Sequence, residues 1–107
     1  MKNLGNILKQ AQNMQSRMAE VQDELQALEV DGQSGAGMVR ATVSGKGEVR
    51  ALCIDPAVVD KDEIGVLEDL IVAAVNDAKG KADEISREKM SALTQGLPLP
   101  PGFKLPF

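Results

Sequence analysis

A heptad repeat in the first 28 residues constrains the fold of this chain more than any other feature. Its apolar side chains recur at alternating spacings of three and four residues, so they fill the a and d positions of four heptads. No proline interrupts the repeat. The pattern predicts one helix over residues 3–29, about 37 Å long between its first and last apolar positions. The apolar positions are Leu4, Ile7, Ala11, Met14, Met18, Val21, Leu25 and Leu28.

A helix of this length is too long for a small core to cover, and we expect part of it to project. The sequence leaves two partners open for the apolar stripe: the second helix of the same chain, or a second copy of the chain across a dimer. A chain of 107 residues buries a limited share of its surface, so oligomerisation is an expected source of stability. Asp31 and Gly32 have the turn chemistry that ends a helix.

Residues 30–55 change to the period of two that is typical of strands. Residues 39–43 alternate apolar and polar side chains, residues 44–47 form a glycine-containing turn, and residues 48–54 form the next strand. The strand of residues 48–54 is apolar on both faces near its end, so we expect both of its faces to be covered. Residues 29–35 are a weaker candidate for a third strand at the edge. Together they predict an antiparallel β-meander.

A second helix is predicted over residues 61–93. Asp60 or Asp62 can cap it, and Glu63 in the first turn favours the helix dipole. The tail, residues 96–107, is rich in proline and is predicted to be an extended segment. The chain is thus predicted to be a single α+β domain, residues 1–107, with the order helix, three strands, helix.

The composition argues against an enzyme. The sequence contains no histidine, which removes the usual general base and the commonest metal ligand. The one cysteine, Cys53, cannot form an internal disulfide or a zinc cluster, and is expected to be a small buried hydrophobe. The acids near residue 60 are explained by helix capping. We therefore expect no catalytic residue, no cofactor, no metal and no small-molecule substrate.

Two further observations concern location. No stretch approaches the ~18 consecutive apolar residues of a membrane span, so we expect no membrane partner. The start of the chain spaces its apolar residues, unlike a signal peptide. A cytoplasmic protein is predicted.

Charge is unevenly distributed along the chain. The net charge of −4 argues by itself against nucleic acid as a partner. Residues 1–19 nevertheless carry three basic side chains and no acid, while the acids concentrate in residues 20–31 and 55–77. The basic residues of the second helix can be read as an ordinary exposed face, with i,i+4 pairs from Lys79 to Asp83 and from Asp83 to Arg87. If the two helices run antiparallel, their basic ends meet at one tip, where they can contact phosphates.

Four segments are distributed in order along essentially the whole length of the chain. They are MKNLGNILKQAQNMQSRM, GMVRATVSGKGEVRALCID, LEDLIVAAVNDA and GLPLPPGFKLPF. Together they resemble the YbaB/EbfC family of bacterial nucleoid-associated proteins. The SGKGEV turn and the LEDLI run with its following NDA are the most specific pieces.

This resemblance implies an α–β–β–β–α subunit and a tweezer-like homodimer joined largely through its sheet region. It also implies binding of double-stranded DNA with weak or variable sequence preference, and a nucleoid-associated role in nucleoid organisation or gene regulation. Genes of the family often lie beside a recombination-mediator gene, which points to DNA repair. The family's DNA contacts are attributed to the helical arms. The matching candidates here are Lys2, Lys9, Arg17, Lys81, Arg87 and Lys89.

A second hypothesis fits the acidic balance at least as well. Helix–hairpin–helix chains with long arms can also act as protein-interaction modules, such as a chaperone-like clamp or an adaptor. The proline-rich tail would then dock to a partner.

Overall fold

A computed structural model describes residues 2–94 of the chain and the side chains of residues 4–93. The predicted order of a long helix, three antiparallel strands and a long helix is confirmed. The predictions for the tail, residues 96–107, lie outside the described residues. The elements are α1 (Lys2–Ala27), β1 (Glu29–Ser34), β2 (Val39–Ser44), β3 (Val49–Ile54) and α2 (Ile64–Thr94).

The end of α1 differs from the prediction. The helix stops at Ala27, and Asp31 and Gly32 lie inside β1, so their assignment as a helix-ending turn is wrong. The helix terminates where Arg50 donates a hydrogen bond to the Gln26 carbonyl at 2.7 Å. This bond satisfies one of the carbonyls that a helix end leaves without an intrahelical partner.

The start of α2 also differs from the prediction. The helix begins at Ile64, three residues after the predicted start. The Asp60 carboxylate accepts a hydrogen bond from the Asp62 N–H at 2.9 Å. It therefore stabilises the turn before the helix rather than capping the helix.

The three strands form one sheet in the order β1-β2-β3, with both pairs antiparallel. The weaker third-strand candidate is therefore a real strand, β1. In β2, Val39, Ala41 and Val43 are fully buried. Because alternate residues of a strand share a face, these three form the sheet side of the core beneath α2.

Strand β1 packs directly against α2 through small residues. A Cβ atom on Gly32 would lie 2.2 Å from the Ala78 nitrogen and 2.6 Å from the Ala74 oxygen. Ala74, Ala78 and Ala82 are all buried. The helix backbone can therefore rest on the strand backbone, and α2 lies over β1 and β2.

Strand β3 is exposed, contrary to the prediction that it is covered on both sides. Val49 is 51% exposed, Leu52 is 43% exposed and Cys53 is exposed rather than buried. A β-bulge leaves Arg50 without a partner between the Val43–Val49 and Thr42–Ala51 pairs. Since paired residues share a face, the bulge places Val49 on the α2 side of the sheet together with Leu52.

The two halves of α1 have different environments. Its C-terminal half runs antiparallel along α2: Leu25 shares a cleft with Met90, and Val21 shares another with Leu93. The apolar stripe therefore packs on the second helix of its own chain over this half. Residues 4–16, called the arm below, are exposed except for half-buried Met14.

Candidate nucleic-acid interface

The arm carries the first group of predicted DNA contacts. Lys9 is exposed there, at the f position opposite the apolar stripe. Lys2 is the first described residue of α1, but its side chain lies outside the described part of the chain. Arg17, just beyond the arm, is also exposed. In the described part of the chain, neither Lys9 nor Arg17 forms an ion pair.

Arg17 and Lys89 lie in the same cleft between α1 and α2. Lys89 Nζ lies 3.1 Å from Glu24 Oε2, which ties the two helices together. We call this the glutamate cleft, because Glu20 and Glu24 balance its two cations. Its lining residues are Arg17, Glu20, Val21, Glu24, Lys89, Ala92 and Leu93.

Arg87 forms an exposed ion pair along α2. Arg87 lies 2.9 Å from Asp83, as its i,i+4 spacing predicts. The other predicted pair, between Lys79 and Asp83, is not formed among the described residues, because Asp83 faces Arg87 instead. Exposed pairs of this kind contribute about 0–1 kcal/mol, so Arg87 can exchange its carboxylate for a phosphate at little cost.

Lys81 lies apart from the other candidates, beside β1. It lines a depression with Asp31, Gly32, Gln33 and Arg40 and forms an ion pair of 3.0 Å with Asp77. The Gln33 N–H donates to the same carboxylate oxygen at 3.0 Å. That hydrogen bond, and secondly Lys81, hold the pKa of Asp77 below its ordinary value of 3.8 against the opposing effect of burial. Lys81 therefore helps to hold the Asp77 carboxylate at the edge of β1.

The candidates are thus only partly brought together. Arg17 and Lys89 share the glutamate cleft, Lys9 lies further along the projecting arm, and Lys81 is elsewhere. Sequence reasoning missed a further cation, Lys46, in the turn between β2 and β3, where it shares a cleft with Lys79. The available signal was the SGKGEV motif, which was interpreted only as a hairpin turn.

The described residues contain neither a group of metal ligands nor a helix that could span a membrane. In residues 2–94, no three His, Cys, Asp or Glu side chains are grouped so that they could hold a metal ion. Neither α1 nor α2, as far as they are described, contains a segment long and apolar enough to cross a membrane.

Comparisons with known proteins agree with this architecture. A nucleoid-associated protein of Rhodospirillum rubrum is 64% identical over 107 residues, covering 100% of both chains. Another, from Paramagnetospirillum magneticum, is 58% identical with the same complete coverage. The crystal structure of an uncharacterized Helicobacter pylori protein shares the fold, with a TM-score of 0.69 over 90% of this chain and 97% of that chain at 22% identity. The sequence profile of the YbaB/EbfC DNA-binding family matches residues 1–97. The chain belongs to the YbaB/EbfC DNA-binding family.

Proposed function

We propose that this chain binds double-stranded DNA as a homodimer, mainly through phosphate contacts from its arms. The observation that carries the proposal is the arm itself. It is a helix with no acid before Glu20, it is exposed except at Met14, and its Lys9 forms no ion pair with the described residues. Membership of the DNA-binding family and the names of the two bacterial relatives support the same function.

The chemistry of the arm favours phosphates over base edges. Lysine presents a hydrated point charge on a flexible stem, which suits a phosphate but discriminates poorly between bases. The described residues include no aromatic side chain that would stack on an unpaired base. Binding of this kind has weak sequence preference. It fits a non-enzymatic protein of the nucleoid in the cytoplasm, with a role in nucleoid organisation, gene regulation or DNA repair.

The free side of β3 supports the homodimer. The bulge and the position of α2 leave Val49 and Leu52 uncovered next to the core, and within residues 2–94 β3 pairs with β2 alone. A second copy that meets this edge would bury both side chains and would project two arms from a shared sheet region. This is the tweezer-like arrangement that the family resemblance implies.

A specific observation favours the second function, a protein-interaction clamp. The arm exposes three large apolar side chains by about 60% each, and such a surface also suits an unfolded or helical polypeptide. They are Leu4, Ile7 and Leu8. A clamp would depend on these residues and not on Lys9.

A salt titration with matched variants tests the DNA function. K9Q/R17Q removes two positive charges, and K61E changes the net charge by the same amount at an exposed position before α2. Since each phosphate contact contributes about 0.9 to the magnitude of the slope of log K against log salt, we expect K9Q/R17Q to reduce that magnitude by about 2 per subunit, or about 4 for a dimer that binds with both arms. K61E should leave it unchanged.

Two outcomes would contradict the DNA function. One is an intact dimer that does not bind a duplex at low salt. The other is an equal effect of K9Q/R17Q and K61E. Retained capture of a polypeptide by K9Q/R17Q, and its loss in L4S/L8S, would support the clamp instead.

A further inference from the structure

A cleft on the body of the subunit brings together two lysines from distant parts of the sequence. It lies where the β2–β3 turn faces the middle of α2. We call it the lysine cleft, and it is on the opposite side of the α1–α2 contact from the glutamate cleft. Its lining residues are Gly45, Lys46, Gly47, Lys79, Asp83 and Ser86.

The turn that carries Lys46 is held in place at several points. The Ser44 hydroxyl, fully buried, accepts hydrogen bonds from the N–H groups of Lys46 and Glu48 at 3.2 Å each. The Gly45 N–H donates to the Leu25 carbonyl of α1 at 2.8 Å. A Cβ on Gly45 would lie 2.7 Å from that carbonyl oxygen, so only glycine allows this close approach. The turn is therefore fixed against α1 and by its own hydrogen bonds, and Lys46 projects from a rigid base.

The lysine cleft has an excess of positive charge. Its one carboxylate, Asp83, is paired with Arg87 at 2.9 Å. Among residues 4–93, no carboxylate forms an ion pair with Lys46 or Lys79. Lys46 and Arg87 also line an adjoining cleft, so three cations and one acid lie along this side. The glutamate cleft, by contrast, balances two cations with two acids.

We propose that the lysine cleft binds a backbone phosphate of double-stranded DNA, so that the body of the subunit contacts the duplex in addition to the arm. This inference rests on the DNA-binding function proposed above. It assigns binding to Lys46 and Lys79, with the Ser86 hydroxyl as a neighbouring hydrogen-bond donor. A phosphodiester offers two charged oxygens, which lysine ammonium groups and hydroxyls commonly contact.

The turn favours a phosphate of a polymer over a small phosphorylated ligand. Phosphate-binding loops hold small ligands with free backbone N–H groups that converge on the anion. Here the N–H groups of Gly45, Lys46 and Gly47 already donate to Leu25 and Ser44. Only side chains remain to bind the anion. Mobile ammonium groups on an open surface suit a duplex that is held at many points.

The position of the cleft defines the length of DNA that one subunit covers. The turn is attached to α1 at Leu25, sixteen residues from Lys9, or about 24 Å along the helix. Base pairs follow each other at about 3.4 Å along a duplex. One subunit that contacts DNA at both places would therefore span roughly seven base pairs.

The test compares K46Q/K79Q with K61E, which changes the net charge equally. Both altered positions of the double variant are exposed, so its melting temperature should equal that of the wild type. We expect the magnitude of the slope of log K against log salt for a duplex to fall by about 2 for each subunit whose lysine cleft contacts the duplex. Between 50 and 200 mM salt, the wild type should then lose about tenfold more affinity than K46Q/K79Q for each contacting subunit. K61E should follow the wild type.

A second measurement locates the contact. In amide NMR spectra, addition of a 20-base-pair duplex to the wild type should shift the Gly45, Gly47 and Lys79 signals. Inorganic phosphate alone, at matched ionic strength, should not shift them.

Three results would overturn the inference. If K46Q/K79Q and K61E have the same salt slope while K9Q/R17Q has a lower one, the arm binds DNA and the lysine cleft does not. If inorganic phosphate alone saturates the Gly47 shift, the cleft is a small-anion site. If the wild-type dimer does not bind a duplex at all, the proposed function fails and this inference fails with it.

Discussion

The two outer strands of the sheet have opposite environments. Strand β1 is covered: Val30 and Gly32 are buried, and the Gln33 N–H at its outer edge donates to Asp77 of α2. Strand β3 has the same length, yet all of its residues are exposed or half-buried. One edge of the sheet is covered within the subunit, and the other is uncovered in the described part of the chain.

The difference arises from side-chain size. Because Gly32 and the α2 residues Ala74, Ala78 and Ala82 are small, α2 can lie close to β1. In this position α2 covers β1 and β2 but does not extend over β3. Of the helix-side residues of β3, Val49 and Leu52 remain outside this cover, while Ile54 at the end of the strand packs against the core. The same close packing that stabilises one edge therefore exposes the other. Uncovered strand edges invite pairing with another chain, which is the basis for expecting a dimer here.

The largest effect is expected from filling the contact at the covered edge. G32A places a methyl group within 2.7 Å of three α2 backbone atoms, and a helix backbone cannot yield as a side-chain tip can. We expect the free energy of unfolding to fall by about 3 kcal/mol or more. G80A is the matched control, because a Cβ there meets nothing within 4 Å and should add up to about 1 kcal/mol of helix stability. Urea denaturation at a fixed protein concentration measures both; equal changes in the two variants would contradict the close-packing account.

Substitutions at the exposed edge, β3, should change the oligomeric state of the protein and leave its folding intact. L52K adds a charge to the proposed dimer surface while leaving the core beneath α2 intact. We expect light scattering to show a monomer, with helical circular dichroism retained. I7K is the informative companion, since it charges the apolar stripe on the arm. If I7K dissociates the dimer and L52K does not, the second copy binds along the arm, and the proposal for β3 is wrong.

The elements that could be predicted from the sequence are those with a clear local periodicity. The α1 heptads and the alternation of residues 39–43 located a helix and a strand. Gly32 was misassigned because glycine signals a turn in sequence, whereas its close approach to Ala78 depends on how distant segments pack. The bulge at Arg50 also has no local signal, and simple alternation does not predict that Val49 and Leu52 share a face.

The candidate site was less predictable for a related reason. Lys79 and Arg87 each lie four residues from Asp83, which is the right spacing for an ion pair. Spacing alone does not show which of the two cations pairs with this carboxylate. The charge left on Lys79 matters only because the β2–β3 turn brings Lys46 next to it. That juxtaposition joins residues 33 positions apart and has no local signal.

The smallest expected effect concerns the hydrogen bond that completes the β1 edge. The pKa of Asp77 is lower in the folded chain than its ordinary value, chiefly through the Gln33 N–H. The ionised carboxylate therefore contributes stability that is fully present above about pH 4–5 and is lost as the pH falls through the lowered folded-state pKa.

D77N keeps the shape of the Asp77 side chain and removes its charge. Its melting temperature should lie slightly below that of the wild type at pH 7, and the gap should close toward pH 2. K81Q removes the hydrogen bond and the charge that Lys81 contributes to the pKa shift, so its comparison with D77N/K81Q should retain the part of the pH-dependent gap that the Gln33 N–H causes. A gap between wild type and D77N that does not change with pH would show that the β1 edge is completed by the shape of this side chain and not by its charge.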